Sequence, residues 1–240
     1  QQLGETTAAE NNWQRALESA AGDPQKLLPL AEYAEKNGAA AMAEIAYNTI
    51  VRDTPGLRAG QQGRLRLAQQ SRDTGKIHRI LEQMLKQWPN DSAVQNDEAY
   101  TRLLLLPNDK GKPEVRGRRS DLSLSGETRA IASSPAVPRP LSSELSEIEA
   151  LAEDLVRREP ASLPHRTLLA LARLKQGQPA RALEVYSGIN IPHNALSPPA
   201  LAVHAAVLAD NGQGADARTE AADLRPEQLL PEEQALISGL

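Results

Sequence analysis

Small residues recur at fixed intervals along this chain of 240 residues, and their spacing limits the folds that the chain can adopt. A small residue is followed seven positions later by Gly, five later by another small residue and four later by a usually larger one. Three stretches share this spacing: Ala31, Gly38, Ala43 and Tyr47; Ala170, Gly177, Ala182 and Tyr186; and Ala205, Gly212, Ala217 and Ala221. A repeat every few tens of residues is typical of stacked helical units, each of which buries its apolar face on the next.

The composition favours helices that pack at close range. The chain has no Phe and no Cys, so its apolar residues are mostly Ala and Leu and it can form no disulfide or Cys-ligated metal site. Its net charge of −4 does not by itself indicate a nucleic acid or a membrane surface as partner. Apolar stretches such as Leu103–Leu106 and Leu201–Ala209 are far shorter than the roughly 18–20 residues of a membrane span. The sequence therefore predicts no membrane span in this chain.

Helical apolar spacing divides the first part of the chain into hairpins. The first hairpin is predicted to turn at Gly38 and to end at Pro55, which comes 17 residues later. The second is predicted to turn at Gly75, and Pro89 follows that glycine by only 14 residues. This shorter interval predicts that the last helix of the second hairpin is about one turn shorter than its counterpart in the first.

The third hairpin is interrupted. Its first helix is predicted over Ala93–Leu106, and its second only over Ser142–Glu159. The segment 107–141 between them is rich in Gly, Pro, Ser and charged residues, which predicts a flexible insertion. The chain is thus divided into 1–106 (an N-terminal helix, two hairpins and the first helix of a third), the insertion, and 142–240 (the remainder of the third hairpin, two further hairpins and a closing helix over Pro231–Ile237).

The spacing resembles that of the tetratricopeptide repeat (TPR), whose period is about 34 residues. The resemblance is carried best by Leu30, Ala31, Ala43, Tyr47, Ile50 and Pro55. The stretch Asn96–Tyr100 is similar to an opening found in many bacterial members of the family. The resemblance implies an all-α, right-handed superhelical α-solenoid of about five helix-turn-helix hairpins. It also implies a non-catalytic protein–protein interaction scaffold or assembly factor of a bacterial multiprotein complex.

In TPR proteins the first helix of each hairpin lines an inner groove that binds the partner. Aligning the hairpins on their small residues carries this role to ten positions: Glu32, Glu35, Gln62, Arg64, Gln69, Arg72, Asn96, Tyr100, Thr167 and Leu171. The Asn and Lys residues with which some family members clamp a peptide C-terminus do not occur here as a full set. The predicted partner is another protein or peptide segment.

Catalytic signals are weak throughout the sequence. None of the four His residues belongs to an H-E-x-x-H helix or stands among carboxylates in a recognisable ligand set. The stretch Asp73–Lys76 resembles the end of a phosphate loop, but Gln70 stands where such a loop has Gly and Ile77 where it has Ser or Thr. We therefore predict no enzymatic activity, no cofactor and no metal.

A local excess of positive charge supports an alternative function. Between Arg52 and Trp88 there are three acidic residues and eight basic ones: Arg52, Arg58, Arg64, Arg66, Arg72, Lys76, Arg79 and Lys86. A second basic run, Lys110–Arg119, lies in the predicted insertion. The alternative is a helical-repeat binder of nucleic acid or another polyanion through Arg52–Lys86 and this basic loop. The basic loop has no interleaved aromatic residues for base stacking, so we favour a solvated surface and consider nucleic acid the weaker hypothesis.

The sequence does not identify a compartment. The chain begins with Gln1 and not with Met, which indicates a processed or truncated piece whose upstream signal or anchor could be missing. The absence of Cys fits the bacterial cytoplasm and the periplasm equally well.

Overall fold

The computed structural model describes residues 2–107, 141–188 and 196–240, with side chains from residue 11 onward. This part of the chain contains α-helices, one short 3₁₀ helix and no strand. The α-helices are α1 (Gln2–Ala20), α2 (Pro24–Lys36), α3 (Ala40–Asp53), α4 (Arg58–Gln70), α5 (Thr74–Gln87), α6 (Ser92–Leu105), α7 (Leu141–Arg158), α8 (Leu163–Lys175), α9 (Pro179–Glu184), α10 (Pro198–Asp210), α11 (Gly214–Ala222) and α12 (Pro231–Ile237).

The helices form five successive hairpins after α1: α2/α3, α4/α5, α6/α7, α8/α9 and α10/α11. Each hairpin also packs against the next one, so the apolar core runs along the stack. The predicted all-α solenoid of about five hairpins is confirmed. The predicted insertion falls almost wholly on residues 108–140, which lie outside the described part.

Small residues stand where the helices approach one another. The repeated alanines are all completely buried: Ala31, Ala43, Ala68, Ala99, Ala170, Ala182, Ala205 and Ala217. Two glycines play the same part between the first and second hairpins. A Cβ atom on Gly60 would lie 2.7 Å from Ile50 Cγ2, and one on Gly63 would lie 2.3 Å from Tyr47 Cε1. The small residues in the sequence therefore mark the positions where a helix backbone contacts the side chains of a neighbouring helix.

The turn of the second hairpin differs from the sequence prediction. The left-handed residue after α4 is Arg72, with φ of 53°, whereas Gly75 lies inside α5. Arg72 takes the place that Gly38 takes after α2, and in both turns the N–H of the next residue bonds a carbonyl of the preceding helix. Pro89 follows Arg72 by 17 residues, as Pro55 follows Gly38. The prediction of a shorter α5 is therefore wrong, and α3 and α5 each have 14 residues.

Aspartates fix the start of three helices. Asp23, Asp73 and Asp91 precede α2, α5 and α6, and their carboxylates accept backbone N–H groups of the first turn. Such caps satisfy donors that have no partner within the helix. They set where these three helices begin, and so which of their side chains face the interior of the stack.

The chain ends in a segment that returns to earlier hairpins. It consists of a 3₁₀ helix, Pro226–Gln228, and α12, and is called here the closing segment (residues 226–237). Helix α12, whose bounds agree with the sequence prediction, packs against α10 and also against α6. The closing segment thus reaches from the fifth hairpin to the third, and its contacts define the site described next.

Candidate functional site

A cavity of about 490 Å³ lies on the inner side of the stack. Its walls come from α4, α5 and α6, from the starts of α8 and α10, and from the closing segment. The first helices of hairpins two to five therefore share one space, which we call the inner cavity. Because these helices are separated by up to 130 residues of sequence, only the stacked fold brings their side chains together.

Five of the ten predicted partner-binding residues line the inner cavity: Gln69, Arg72, Asn96, Tyr100 and Thr167. They come from the second, third and fourth hairpins. Gln69 and Arg72 are exposed at the wall, whereas Asn96 and Thr167 are buried. The alignment on small residues thus placed half of the predicted set on one surface.

The other five residues lie elsewhere. Leu171 is completely buried in the core, so its predicted accessibility to a partner is wrong. Arg64 donates hydrogen bonds to Gln61 Oε1 (3.1 Å) and Gln83 Oε1 (2.7 Å). Glu32 and Gln62 are exposed on α2 and α4 but do not line the cavity.

Glu35 belongs to a link between the first two hairpins. Arg66 Nε and Nη2 donate to the two oxygens of Glu35 at 2.9 and 2.8 Å, and Tyr47 donates its hydroxyl proton to Glu35 Oε2 at 2.6 Å. The bonds from Arg66 hold the pKa of Glu35 below its usual value, despite partial burial. A carboxylate whose oxygens are engaged in this way stabilises the hairpin contact, so Glu35 is structural.

The acidic part of the cavity is built on α6. Asn96 Nδ2 donates to Asp97 Oδ1 at 3.1 Å, while the buried Asn96 Oδ1 has no hydrogen-bond partner among the described residues. Asp97 is exposed to the solvent of the cavity, yet the surrounding protein walls desolvate its carboxylate and raise its pKa. The bond from Asn96 opposes this effect without cancelling it. This corner therefore offers two oxygen atoms with unused capacity to accept hydrogen bonds.

A second carboxylate comes from the closing segment. Glu233 is 1% exposed and accepts the Tyr100 hydroxyl proton on Oε1 at 3.0 Å and the Leu230 N–H on Oε2 at 2.7 Å. The second bond is that of a residue at the third helical position reaching back to the start of α12. Burial raises the pKa of Glu233, although both bonds lower it. Tyr100 thereby joins the third hairpin to the closing segment across 133 residues.

Two further bonds hold the closing segment. Arg72 Nη1 donates to the carbonyl oxygen of Pro226 at 3.1 Å, and the Thr74 hydroxyl donates to Glu232 Oε2. The guanidinium of Arg72 therefore already has a protein partner at the edge of the cavity. Together with Tyr100 and Glu233, these contacts make the closing segment a wall of the cavity.

The remaining lining is largely apolar. Leu65, Ile77 and Leu81 come from the second hairpin, and Leu229 and Leu230 come from the closing segment. The cavity thus combines an aliphatic surface with the oxygen atoms of α6. A site of this size with a few polar groups among apolar ones suits a side chain or a short peptide segment.

Six of the eight basic side chains of the region Arg52–Lys86 are engaged by other groups of the protein. Several of its residues pair with carboxylates: Arg52 with Asp53, Arg58 with Asp91, Arg66 with Glu35 and Lys76 with Glu44. Arg64 and Arg72 are engaged in the hydrogen bonds described above. The basic loop Lys110–Arg119 lies outside the described residues.

Within residues 2–107, 141–188 and 196–240, no group of three or more His, Asp or Glu side chains is arranged to hold a metal ion. In the same ranges no helix combines the length and apolar character needed to cross a bilayer.

The sequence analysis missed Asp97, Glu227, Glu233 and the rest of the closing segment as parts of this site. Asp97 follows a predicted groove residue on the same helix, so its place on α6 was open to inference. Glu233 gives no such signal, because an acidic residue in the first turn of a short helix usually interacts with its own helix end.

Comparison with known proteins supports the fold. The chain is similar to a crystal structure of a tetratricopeptide repeat protein from Parabacteroides merdae ATCC 43184, with a TM-score of 0.50 at 13% identity over 99% of this chain and 80% of that chain. The structure of Naa15/Naa10 bound to HypK-THB matches with a TM-score of 0.43 at 11% identity, over 94% of this chain and 30% of that chain. No protein-family model and no curated protein matches the sequence. The chain has a TPR-like fold.

Proposed function

We propose that this chain is a non-catalytic protein–protein interaction scaffold or assembly factor of a bacterial multiprotein complex, and that it binds a short segment of its partner in the inner cavity. The observation that carries the proposal is the convergence of Gln69, Arg72, Asn96, Tyr100 and Thr167 on one space of about 490 Å³. A TPR-like fold supports it, because stacked helical hairpins present extended inner surfaces that suit peptide segments.

The charge distribution supports a peptide over a polyanion. Four arginine or lysine side chains of the basic region have carboxylate partners within the protein. A phosphate backbone would have to displace those partners before gaining the same contacts. Within the described residues, the basic region therefore leaves few cationic side chains without a protein partner, which favours a peptide over a polyanion.

The test is a selection of random peptides on the immobilised chain, followed by binding measurements with two matched variants. Gln69 and Gln70 are adjacent and both exposed on α4, but only Gln69 lines the inner cavity. We expect Gln69→Trp to obstruct the cavity and abolish binding of the selected peptides. Gln70→Trp should bind like the wild type, because it adds the same bulk outside the site. Both variants should stay within about 0.5 kcal/mol of the wild type in stability, as is usual for exposed positions.

Peptides that bind both variants equally well would place the interaction elsewhere on the chain. A selection that returns no binder would contradict the proposal. A binding constant that falls steeply with salt for an oligonucleotide, but not for peptides, would favour the polyanion hypothesis instead.

A further inference from the structure

The inner cavity contains carboxylates that no cation neutralises. Asp97, Glu227 and Glu233 line it, and among the described residues no lysine or arginine pairs with Asp97 or Glu233. Arg72, the one basic residue of the lining in the described part of the chain, directs its guanidinium to the carbonyl of Pro226. The formal charge of the lining is therefore negative, and a positively charged group would be attracted to it.

The side chain of Asn96 independently indicates that a hydrogen-bond donor from a ligand belongs at this site. This side chain is 5% exposed, and its Oδ1 atom has no partner while Nδ2 is already bonded to Asp97. A buried acceptor without a partner costs about 1–3 kcal/mol. An ammonium or guanidinium group carries only donors, so it could bond the Asp97 carboxylate directly. It would also satisfy Asn96 Oδ1, which is buried in this structure, once the Asn96 side chain turns that atom toward the cavity.

The aliphatic lining of the cavity suits the carbon stem that carries such a cationic group. Leu65, Ile77 and Leu81 form a continuous aliphatic surface with the closing segment. Lysine and arginine carry their charge at the end of a three- or four-carbon stem, which packs against apolar surface when the head group finds a polar partner. An amine without a stem would use only the acidic part of the lining.

We infer that the inner cavity binds a long basic side chain, lysine or arginine, of the partner's peptide segment, with the stem on the Leu65–Leu81 wall and the head group between Asn96 Oδ1 and the Asp97 carboxylate. This inference rests on the proposed function, because it assigns the chemistry of the residue that the scaffold recognises. It makes Asp97 and Asn96 the residues that determine specificity.

The test uses four blocked pentapeptides, in which lysine, arginine, norleucine or glutamate is the central residue between alanines. Each is titrated into the full chain to millimolar concentrations, and the side-chain amide signal of Asn96 is followed by NMR. We expect the lysine and arginine peptides to shift this signal and to bind about tenfold more tightly than the norleucine peptide, as one charged hydrogen-bonded contact predicts. The glutamate peptide should bind most weakly of the four.

The matched variants are Asp97→Asn and Glu184→Gln. Both remove one negative charge, but Glu184 is exposed and does not line the cavity. Asp97→Asn should lower affinity for the lysine peptide about tenfold and leave the norleucine peptide unchanged, whereas Glu184→Gln should change neither. This non-additive result would identify a direct contact, since independent effects add.

Equal binding of the lysine and norleucine peptides would overturn the inference and leave the proposed function intact. Equal losses of affinity for the lysine and norleucine peptides in Asp97→Asn would also overturn it. The carboxylate would then affect the binding of any peptide and would not contact the positive charge. If no peptide shifts the Asn96 signal while the selected peptides bind the wild type and not Gln69→Trp, the inference fails and the proposed function stands.

Discussion

The ring of Tyr47 occupies the space that a side chain on Gly63 would fill, since a Cβ atom there would lie 2.3 Å from Tyr47 Cε1. The ring has little freedom to move away. It is completely buried, and its hydroxyl is bonded to Glu35 and Arg66. The absence of a side chain at Gly63 on one hairpin is therefore matched to the largest buried side chain of the neighbouring hairpin.

Gly63→Ala should consequently destabilise the chain. Overpacking a buried contact costs roughly 1–3 kcal/mol, and the better helix propensity of Ala returns about 1 kcal/mol. Gly75→Ala is the matched control, because it makes the same change in a helix where the new Cβ would meet only ordinary contacts at 3.5 and 3.6 Å. We expect a lower urea midpoint for Gly63→Ala and an unchanged or higher one for Gly75→Ala. Equal midpoints would show that the Tyr47 ring moves aside for the new Cβ atom at no cost in stability.

The left-handed position at Arg72 should favour glycine over residues that have a side chain. Its φ of 53° is a left-handed conformation that costs a non-glycine residue about 1 kcal/mol. Arg72→Gly and Arg72→Ala both lose the bond to Pro226, but only glycine removes the backbone strain. Chemical denaturation should therefore find Arg72→Gly about 1 kcal/mol more stable than Arg72→Ala. Equal stabilities would argue against a left-handed residue at this position.

Asp97→Asn should stabilise the chain at neutral pH. The raised pKa means that folded Asp97 binds a proton more tightly than unfolded Asp97, so its ionised form opposes folding. The advantage of the variant should shrink as the pH falls through the raised pKa, and it should vanish below the ordinary value of 3.8. Urea midpoints of both proteins from about pH 7 to about pH 3 would measure this.

Glu35→Gln should show the opposite pH dependence, and it serves as the control. The pKa of Glu35 is lowered mainly by Arg66, so its ionised form stabilises the fold above the ordinary value of 4.5. The variant should be less stable than the wild type at neutral pH, and the difference should disappear as the pH falls through the lowered pKa. Parallel pH profiles for the two variants would contradict both assignments.

Tyr100→Phe should weaken the attachment of the closing segment. It leaves one oxygen of the buried Glu233 without its donor, which costs about 1–3 kcal/mol. Glu233→Gln should cost less, because an amide can donate to the Tyr100 hydroxyl and still accept the Leu230 N–H. Hydrogen exchange of α12 should therefore be faster in Tyr100→Phe than in Glu233→Gln. The reverse order would show that the charge of Glu233, and not the bond from Tyr100, holds the segment.

The local features of the fold could be predicted because their causes are local. The buried alanines report close helix contacts, and the prolines and apolar residues around Pro231–Ile237 define α12. The left-handed turn at Arg72 could not be predicted, since nothing in the residue type indicates it.

The site was predictable only in part. The repeat period places Asn96 and Tyr100 on the inner side of α6. It says nothing about Glu233, whose contact with Tyr100 depends on how five hairpins add up in space. Leu171 was predicted to line the groove because the repeat pattern assumes that each helix buries only one face. Helix α8 packs against several helices, so the face that carries Leu171 is buried as well.

The closing segment has a consequence for the order in which the chain can complete its structure. In a simple repeat array each hairpin is finished once its immediate neighbour has formed. Here Arg72, Thr74 and Tyr100 acquire their partners only from residues 226–233. On the ribosome, the second and third hairpins would emerge with their inner side bare and would keep it so until residues 226–233 had been added. The inner cavity is thus among the last features of the protein to exist.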